Sequence, residues 1–175
     1  MGCWLSILGQ KWSVVPILKR NKIKYTRLTK HAITPYKHTQ GSAGYDLYSA
    51  YDYIVPAYDY QDPEKSKQMI ATDICFELPD NTFGAIWETS KISYYNMLHF
   101  YGRVIDSDYR GNVYILVHNF SKQEFKIKSG DKIAQIIITK IMNTDLKECS
   151  YTCLSNTERA AKGIKCYTEC YDQVD

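Results

Sequence analysis

Val104-Ile105-Asp106-Ser107-Asp108-Tyr109-Arg110-Gly111-Asn112-Val113 joins two apolar, β-branched ends through a bend made of Asp, Ser, Gly and Asn. Val and Ile favour extended backbone, and Asp, Gly and Asn accept the tight dihedrals of a turn. The stretch predicts a β-hairpin that presents Asp106 and Tyr109 at the tip of a rigid ribbon. An ordinary surface hairpin would use the same residue types, so any chemistry must be argued from what surrounds it.

The surroundings read as short strands. Ile70, Thr72, Ile74, Phe76 and Leu78 alternate with other residues, as a half-buried strand requires, until Pro79-Asp80-Asn81 turns the chain. Val113 to Val117 and Ile133 to Ile141 are apolar on both faces, the pattern of strands between two layers or in a subunit interface. Tyr58 to Ser66 carries Pro, Asp and charges without periodicity and reads as a loop. No long helical period, internal repeat or low-complexity tract interrupts this, and the expectation is an all-β sandwich.

At 175 residues, 45% of them hydrophobic, the chain suits one folded domain, and no apolar run approaches the roughly 18 residues that span a bilayer. The net charge of +3 hides an asymmetry: no acidic residue precedes Asp46, whereas Lys11, Lys19, Arg20, Lys22, Lys24, Arg27, Lys30 and Lys37 do. A basic arm on a net acidic body is drawn to an anionic surface, either lipid headgroups or nucleic acid. Met1-Gly2-Cys3-Trp4-Leu5-Ser6 favours lipid, because it fits myristoylation of Gly2, with Cys3 placed for a second acyl chain. Myristate alone binds marginally, so palmitate on Cys3 or the basic cluster would supply the second signal. Nucleic acid is the weaker reading, since Trp12 and Tyr25 lie in an arm with no recognised binding motif. Gln10-Lys11 interrupts the apolar start and argues against a secretory signal.

Four segments, in order and at similar spacing, resemble the motifs of the trimeric dUTP pyrophosphatases, in their eukaryotic-type branch. Ala43-Gly44-Tyr45-Asp46-Leu47 is similar to the first motif and the Asp106 stretch to the third. Gly130-Asp131-Lys132-Ile133-Ala134-Gln135 is similar to the fourth and Thr157-Glu158-Arg159 to the start of the fifth. The resemblance implies a jelly-roll subunit of a homotrimer, and attack of water on the α-phosphate of dUTP to give dUMP and pyrophosphate. Mg²⁺ would be held through the substrate phosphates with no direct protein ligand. By position, Asp106 corresponds to the carboxylate that activates the water, and Asp46 to an acid acting through waters near the metal. Tyr109 corresponds to the ring against the deoxyribose, and Ser90, Gln135 and Arg159 to substrate contacts. These residue types suit the roles: a carboxylate within hydrogen-bond reach can take a proton, and an aromatic face excludes a hydroxyl it cannot satisfy.

The resemblance falters in two motifs. Ala85-Ile86-Trp87-Glu88-Thr89-Ser90-Lys91 stands where the family has Arg-Val-Ala-Pro-Arg-Ser-Gly, so Thr89 replaces a phosphate-binding arginine and Glu88 adds a negative charge beside it. Arg103 replaces a glycine whose backbone faces the uracil, which predicts a reshaped base pocket. After Arg159 the chain runs Ala160-Ala161-Lys162-Gly163-Ile164, having lost most of the glycines and the aromatic ring of the family's closing tail.

Two functions are therefore expected to compete. One is a dUTP diphosphatase of attenuated activity, binding dUTP or a related deoxynucleotide. The other is a catalytically lapsed interaction or signalling protein, tethered to a membrane by its acylated arm. Either places the protein inside the cell, in the cytoplasm or against a membrane. The expected organisation is a basic arm over residues 1–24, a β domain over 25–148 and a tail over 149–175. Cys149, Cys153, Cys166 and Cys170 form two Cys-x3-Cys pairs, for which unpaired thiols are favoured over disulfides and zinc. His31, His38, His99 and His118 have no metal-ligand spacing.

Overall fold

The computed structural model describes residues 22–95 and 98–158. The strands are β1 (Lys24–Arg27), β2 (Tyr45–Tyr48), β3 (Tyr53–Val55), β4 (Lys67–Ala71), β5 (Ile74–Glu77), β6 (Thr82–Glu88), β7 (Leu98–Tyr101), β8 (Val104–Asp106), β9 (Tyr114–Asn119), β10 (Phe125–Ile127) and β11 (Lys132–Lys140). One helix, α1 (Ser90–Tyr95), follows β6. Strands β2, β11, β6 and β8 form an antiparallel four-stranded sheet in that order, and β4, β9 and β7 a three-stranded one; β1 pairs with β5 and β3 with β10. This is an all-β jelly-roll sandwich, as the strand pattern predicts.

β6 illustrates why these residues make strands. Thr82, Gly84 and Ile86 are buried while Phe83, Ala85 and Trp87 are more open, the two-residue period of a half-buried strand. Gly84 is required by packing, since a Cβ there would meet Ile136 Cδ1 at 2.6 Å. Leu47, Ile70, Ile74, Ile86, Ile115, Ile133 and Ile136 are almost completely buried in the core. Each contributes roughly 2 kcal/mol of apolar transfer free energy.

The structure corrects two local readings. Val104–Asp106 and the strand after Val113 do not pair as a hairpin: β8 lies beside β6 in one sheet, and β9 lies between β4 and β7 in the other. The bend is a corner between layers, because residue propensity marks strands and turns but not which strand is the partner. The expected strand from Ile70 to Leu78 breaks at Thr72-Asp73, where Asp73 has φ of 54°. Aspartate tolerates that left-handed conformation better than most residues, and here its carboxylate fixes it. Thr29 Oγ1 and Tyr51 OH donate to Asp73 Oδ2 at 2.6 and 2.8 Å, and Asn112 Nδ2 donates to Oδ1 at 2.8 Å. Burial pushes this carboxyl's pKa up, but the hydrogen bonds from Thr29, Tyr51 and Asn112 outweigh burial and hold it below its ordinary value. The segment read as a loop from Tyr58 contains a 3-10 turn at Pro63–Ser66.

The first compact unit ends at Met142. The second begins at Asn143 and, as far as residue 158, contains a 3-10 turn at Tyr151–Cys153.

Candidate active site

Asp106 is the last residue of β8 and is exposed. Its carbonyl accepts the Tyr109 N–H at 3.2 Å, closing the turn that starts the corner, and Tyr109 OH donates to the Asn112 carbonyl at 2.9 Å. The phenol end of the ring lies close against Gly111, and 42% of the tyrosine remains exposed. Asn112 is anchored from below by Asp73. Asp106, Tyr109, Asn112 and Tyr114 line one cavity of about 270 Å³, floored by Val104, Ile105, Met69 and Leu116. Gly102 closes it at φ of 56°, where a Cβ would come within 3.0 Å of Leu116 Cδ1. The sequence-predicted base and ring thus share one apolar-floored pocket. Tyr114, which sequence reasoning passed over, forms part of its wall. A larger cavity of about 490 Å³ beside it, lined by Tyr101, His118 and Phe120 among others, holds none of the expected site residues.

A second group gathers at the other end of the four-stranded sheet. Asp46 on β2 pairs with Gln135 on β11, which pairs with Trp87 on β6, so the three stand in one row. Asp46 is nearly buried, and Lys132 Nζ donates to its Oδ2 at 3.3 Å. Gly44 admits the Gln135 amide, since a Cβ there would fall 2.9 Å from Gln135 Oε1; Gln135 Nε2 reaches the Glu88 carbonyl at 3.5 Å. Ser90 is exposed at the start of α1.

Thr89, the departure from the arginine, is used locally. Its carbonyl accepts the Ser93 N–H at 2.9 Å, and its hydroxyl receives the Ile92 N–H at 3.4 Å as a helix cap. It is buried and offers no charge. Arg103, the departure from glycine, is not among the residues lining the Asp106 cavity. Its Nη2 donates to Glu88 Oε1, its Nε to the Phe100 carbonyl at 3.3 Å, and its guanidinium lies 5.4 Å from the centre of the Trp87 ring. Two residues that the sequence marks separately as departures, fifteen positions apart, form one ion pair.

The two groups do not meet within one chain. Asp106 stands opposite Phe83, four residues along β6 from Trp87, which at roughly 3.3 Å per residue is about 13 Å. Ala85, Val104 and Ile137 occupy the face between them. Gly2, Cys3, Arg159 and the altered tail after it lie outside the described residues, as do Cys166 and Cys170. Cys149 and Cys153 are exposed free thiols, and Cys75 is a buried one.

Sandwich topology defines a jelly-roll protein, and this one carries the Asp106 and Tyr109 pocket and the Asp46 and Gln135 row on separate parts of its four-stranded sheet. The dUTPase family profile matches residues 30–167, and the chain belongs to the dUTPase family. It is 39% identical over 147 residues to the deoxyuridine 5'-triphosphate nucleotidohydrolase of fowl adenovirus A serotype 1, covering 84% of this chain and 78% of that one. The swinepox virus protein of the same name is 40% identical over 142 residues, covering 81% and 94%. The rat protein is 38% identical over 142 residues, and there the match spans 65% of the relative's length. Among solved structures, the dUTPase of Staphylococcus bacteriophage 80alpha superposes with a TM-score of 0.73 at 23% identity, covering 82% of this chain and 96% of that one. The phage phi11 dUTPase, described with a structural Mg(II) ion, gives 0.67 at 23% identity, covering 74% and 97%.

Proposed function

We propose that this protein is a Mg²⁺-dependent dUTP diphosphatase of lowered rate, working as a homotrimer whose sites lie between subunits. The observation that carries this is the shared pocket of Asp106 and Tyr109. Asp106 takes the proton of a water attacking the α-phosphorus, and Tyr109 offers its face to the sugar, where a 2′-hydroxyl would find no partner. Ser90 and Gln135 of a neighbouring subunit hold the phosphate chain. The separation of about 13 Å between the two groups within a chain supports assembly from two chains, as does the apolar face between them.

The donor set fits Mg²⁺ carried mainly by substrate and water. Asp46 is a single carboxylate already bridged to Lys132, and Mg²⁺ near one carboxylate keeps several waters and takes its other oxygens from phosphate. Bound Mg²⁺ would neutralise charge on the triphosphate, and Asp46 would orient the waters around it.

The rate is lowered because the second motif supplies no arginine and Thr89 is committed to capping α1. Loss of a fixed cation from a phosphate site costs several kcal/mol of barrier, on the order of a thousandfold. The same observation favours a second reading, a lapsed dUTPase that serves as an interaction protein, held at membranes by acylation of Gly2 and Cys3 in its basic arm.

Incubation with dUTP and Mg²⁺ separates the readings. Pyrophosphate release that disappears in Asp106→Asn and rises in Thr89→Arg supports the enzyme. No release from the parent at high protein concentration supports the lapsed form, and a Gly2→Ala variant that leaves membranes for the cytosol supports the tether.

A further inference from the structure

We propose that Arg103 is the phosphate-binding cation of this chain, standing in for the charge missing at position 89, and that Glu88 competes with phosphate for it. The inference rests on the reading above, that Ser90 and Gln135 face the phosphate chain.

The geometry brings the pieces to one place. Glu88 ends β6, one residue before Thr89 and two before Ser90, and its carbonyl receives Gln135 Nε2. Arg103 comes from the turn between β7 and β8; its carbonyl accepts the Ile86 N–H at 2.8 Å, which holds its backbone against the end of β6. Its guanidinium bonds the Glu88 carboxylate through Nη2 and is steadied by the Phe100 carbonyl and the Trp87 ring. The side chain is 34% exposed, against 13% for Glu88, so the guanidinium has an open side while the carboxylate is mostly enclosed. Of the nearby lysines, Lys132 is engaged by Asp46, and Lys91, exposed beside Ser90, is a point charge without the planar fork of a guanidinium.

A guanidinium presents several N–H donors in a plane and can serve a carboxylate and a phosphate oxygen together. The enclosed Glu88 carboxylate cancels most of its charge, so phosphate meets a weakened cation unless the pair opens or a second donor edge is used. Arg103 is therefore a binding residue whose strength Glu88 sets, and dUTP affinity in this chain is held down by an internal anion as well as by the missing charge at position 89.

The test is calorimetric titration of tripolyphosphate at low salt into the full chain and three variants. Glu88→Gln keeps shape and one hydrogen bond to Arg103 while removing the competing charge, and should bind about tenfold more tightly, the gain expected when a charge-assisted bond becomes available. The double variant Glu88→Gln with Arg103→Gln should lose that gain. Arg103→Lys, which keeps a charge but not the planar fork, should bind several-fold more weakly than the parent, and it provides the test should Glu88→Gln not fold. An unchanged affinity in Glu88→Gln, a gain that survives in the double variant, or an unweakened Arg103→Lys would each overturn the proposal. Turnover of dUTP by the parent and by Asp106→Asn, measured on the same preparations, judges the enzyme reading separately, because Asp106 stands opposite Phe83, five residues along β6 from Glu88.

Discussion

Tyr109 lies across Gly111 so closely that a Cβ at 111 would fall 2.5 Å from the phenol Cζ. A side chain there must push the ring off the bend and break its hydrogen bond to the Asn112 carbonyl. Gly111→Ala should therefore cost about 1–2 kcal/mol of stability and raise the KM for dUTP. It should also weaken rejection of UTP, since the ring proposed to face the sugar is displaced. Tyr109→Phe keeps the ring in place and should lose only about 1 kcal/mol, with rejection of UTP intact. Equal KM values for dUTP in Gly111→Ala and parent would show that the ring's placement is immaterial.

Asp73 links the floor of the fold to the corner through Asn112. Because its folded pKa lies below the ordinary 3.8, the carboxylate contributes stability that is complete above that pH and is lost as pH falls through the folded value. Thermal melting should show an acid limb below about pH 4 that Asp73→Asn flattens. At neutral pH Asp73→Ala should cost about 3 kcal/mol, because Thr29, Tyr51 and Asn112 lose a buried acceptor and alanine resists φ of 54°. A parent and Asp73→Asn that share the same acid limb would remove this role.

His118 is buried among aromatic rings, with Phe120 at 4.2 Å between centroids. Ser66 Oγ donates to the Pro63 carbonyl at 2.8 Å, so it accepts from His118 Nε2–H at 3.1 Å, and Tyr101 OH donates to Nδ1 at 3.2 Å. That pattern suits a neutral ring, and burial, aided by the Lys67 charge, pushes its pKa below 6.5. The unfolded chain then binds the proton first as pH falls, so stability present above pH 6.5 declines below it. Tm should fall by a few degrees between pH 7 and pH 5 in the parent and remain level in His118→Phe. Parallel slopes would contradict the assignment.

The sandwich was legible in the doubly apolar run from Ile133, because burial on two faces writes itself into residue order, whereas Ile70 to Phe76, which alternates as a half-buried strand would, is buried throughout and breaks at Thr72-Asp73. Membership of the dUTPase family was legible because the segments around Asp46, Asp106 and Gln135 are each contiguous. What sequence did not disclose is non-local. β8 and β9 read as a hairpin although each pairs elsewhere, and Asp73 reads as one more strand residue although its carboxylate collects donors from three separate segments. Glu88 and Arg103 read as two independent losses, and only folding shows that they neutralise one another. Tyr114 became visible as a pocket wall only once the corner brought it beside Tyr109.

Asp106 of one subunit is proposed to act on phosphate held by Gln135 of another, so two inactive subunits should complement each other when mixed. Asp106→Asn and Gln135→Ala, each without pyrophosphate release alone, should regain Mg²⁺-dependent release when unfolded and refolded together, with about one site in four restored in random trimers. No release from mixed trimers, alongside parent protein that survives the same treatment with its activity, would contradict the claim.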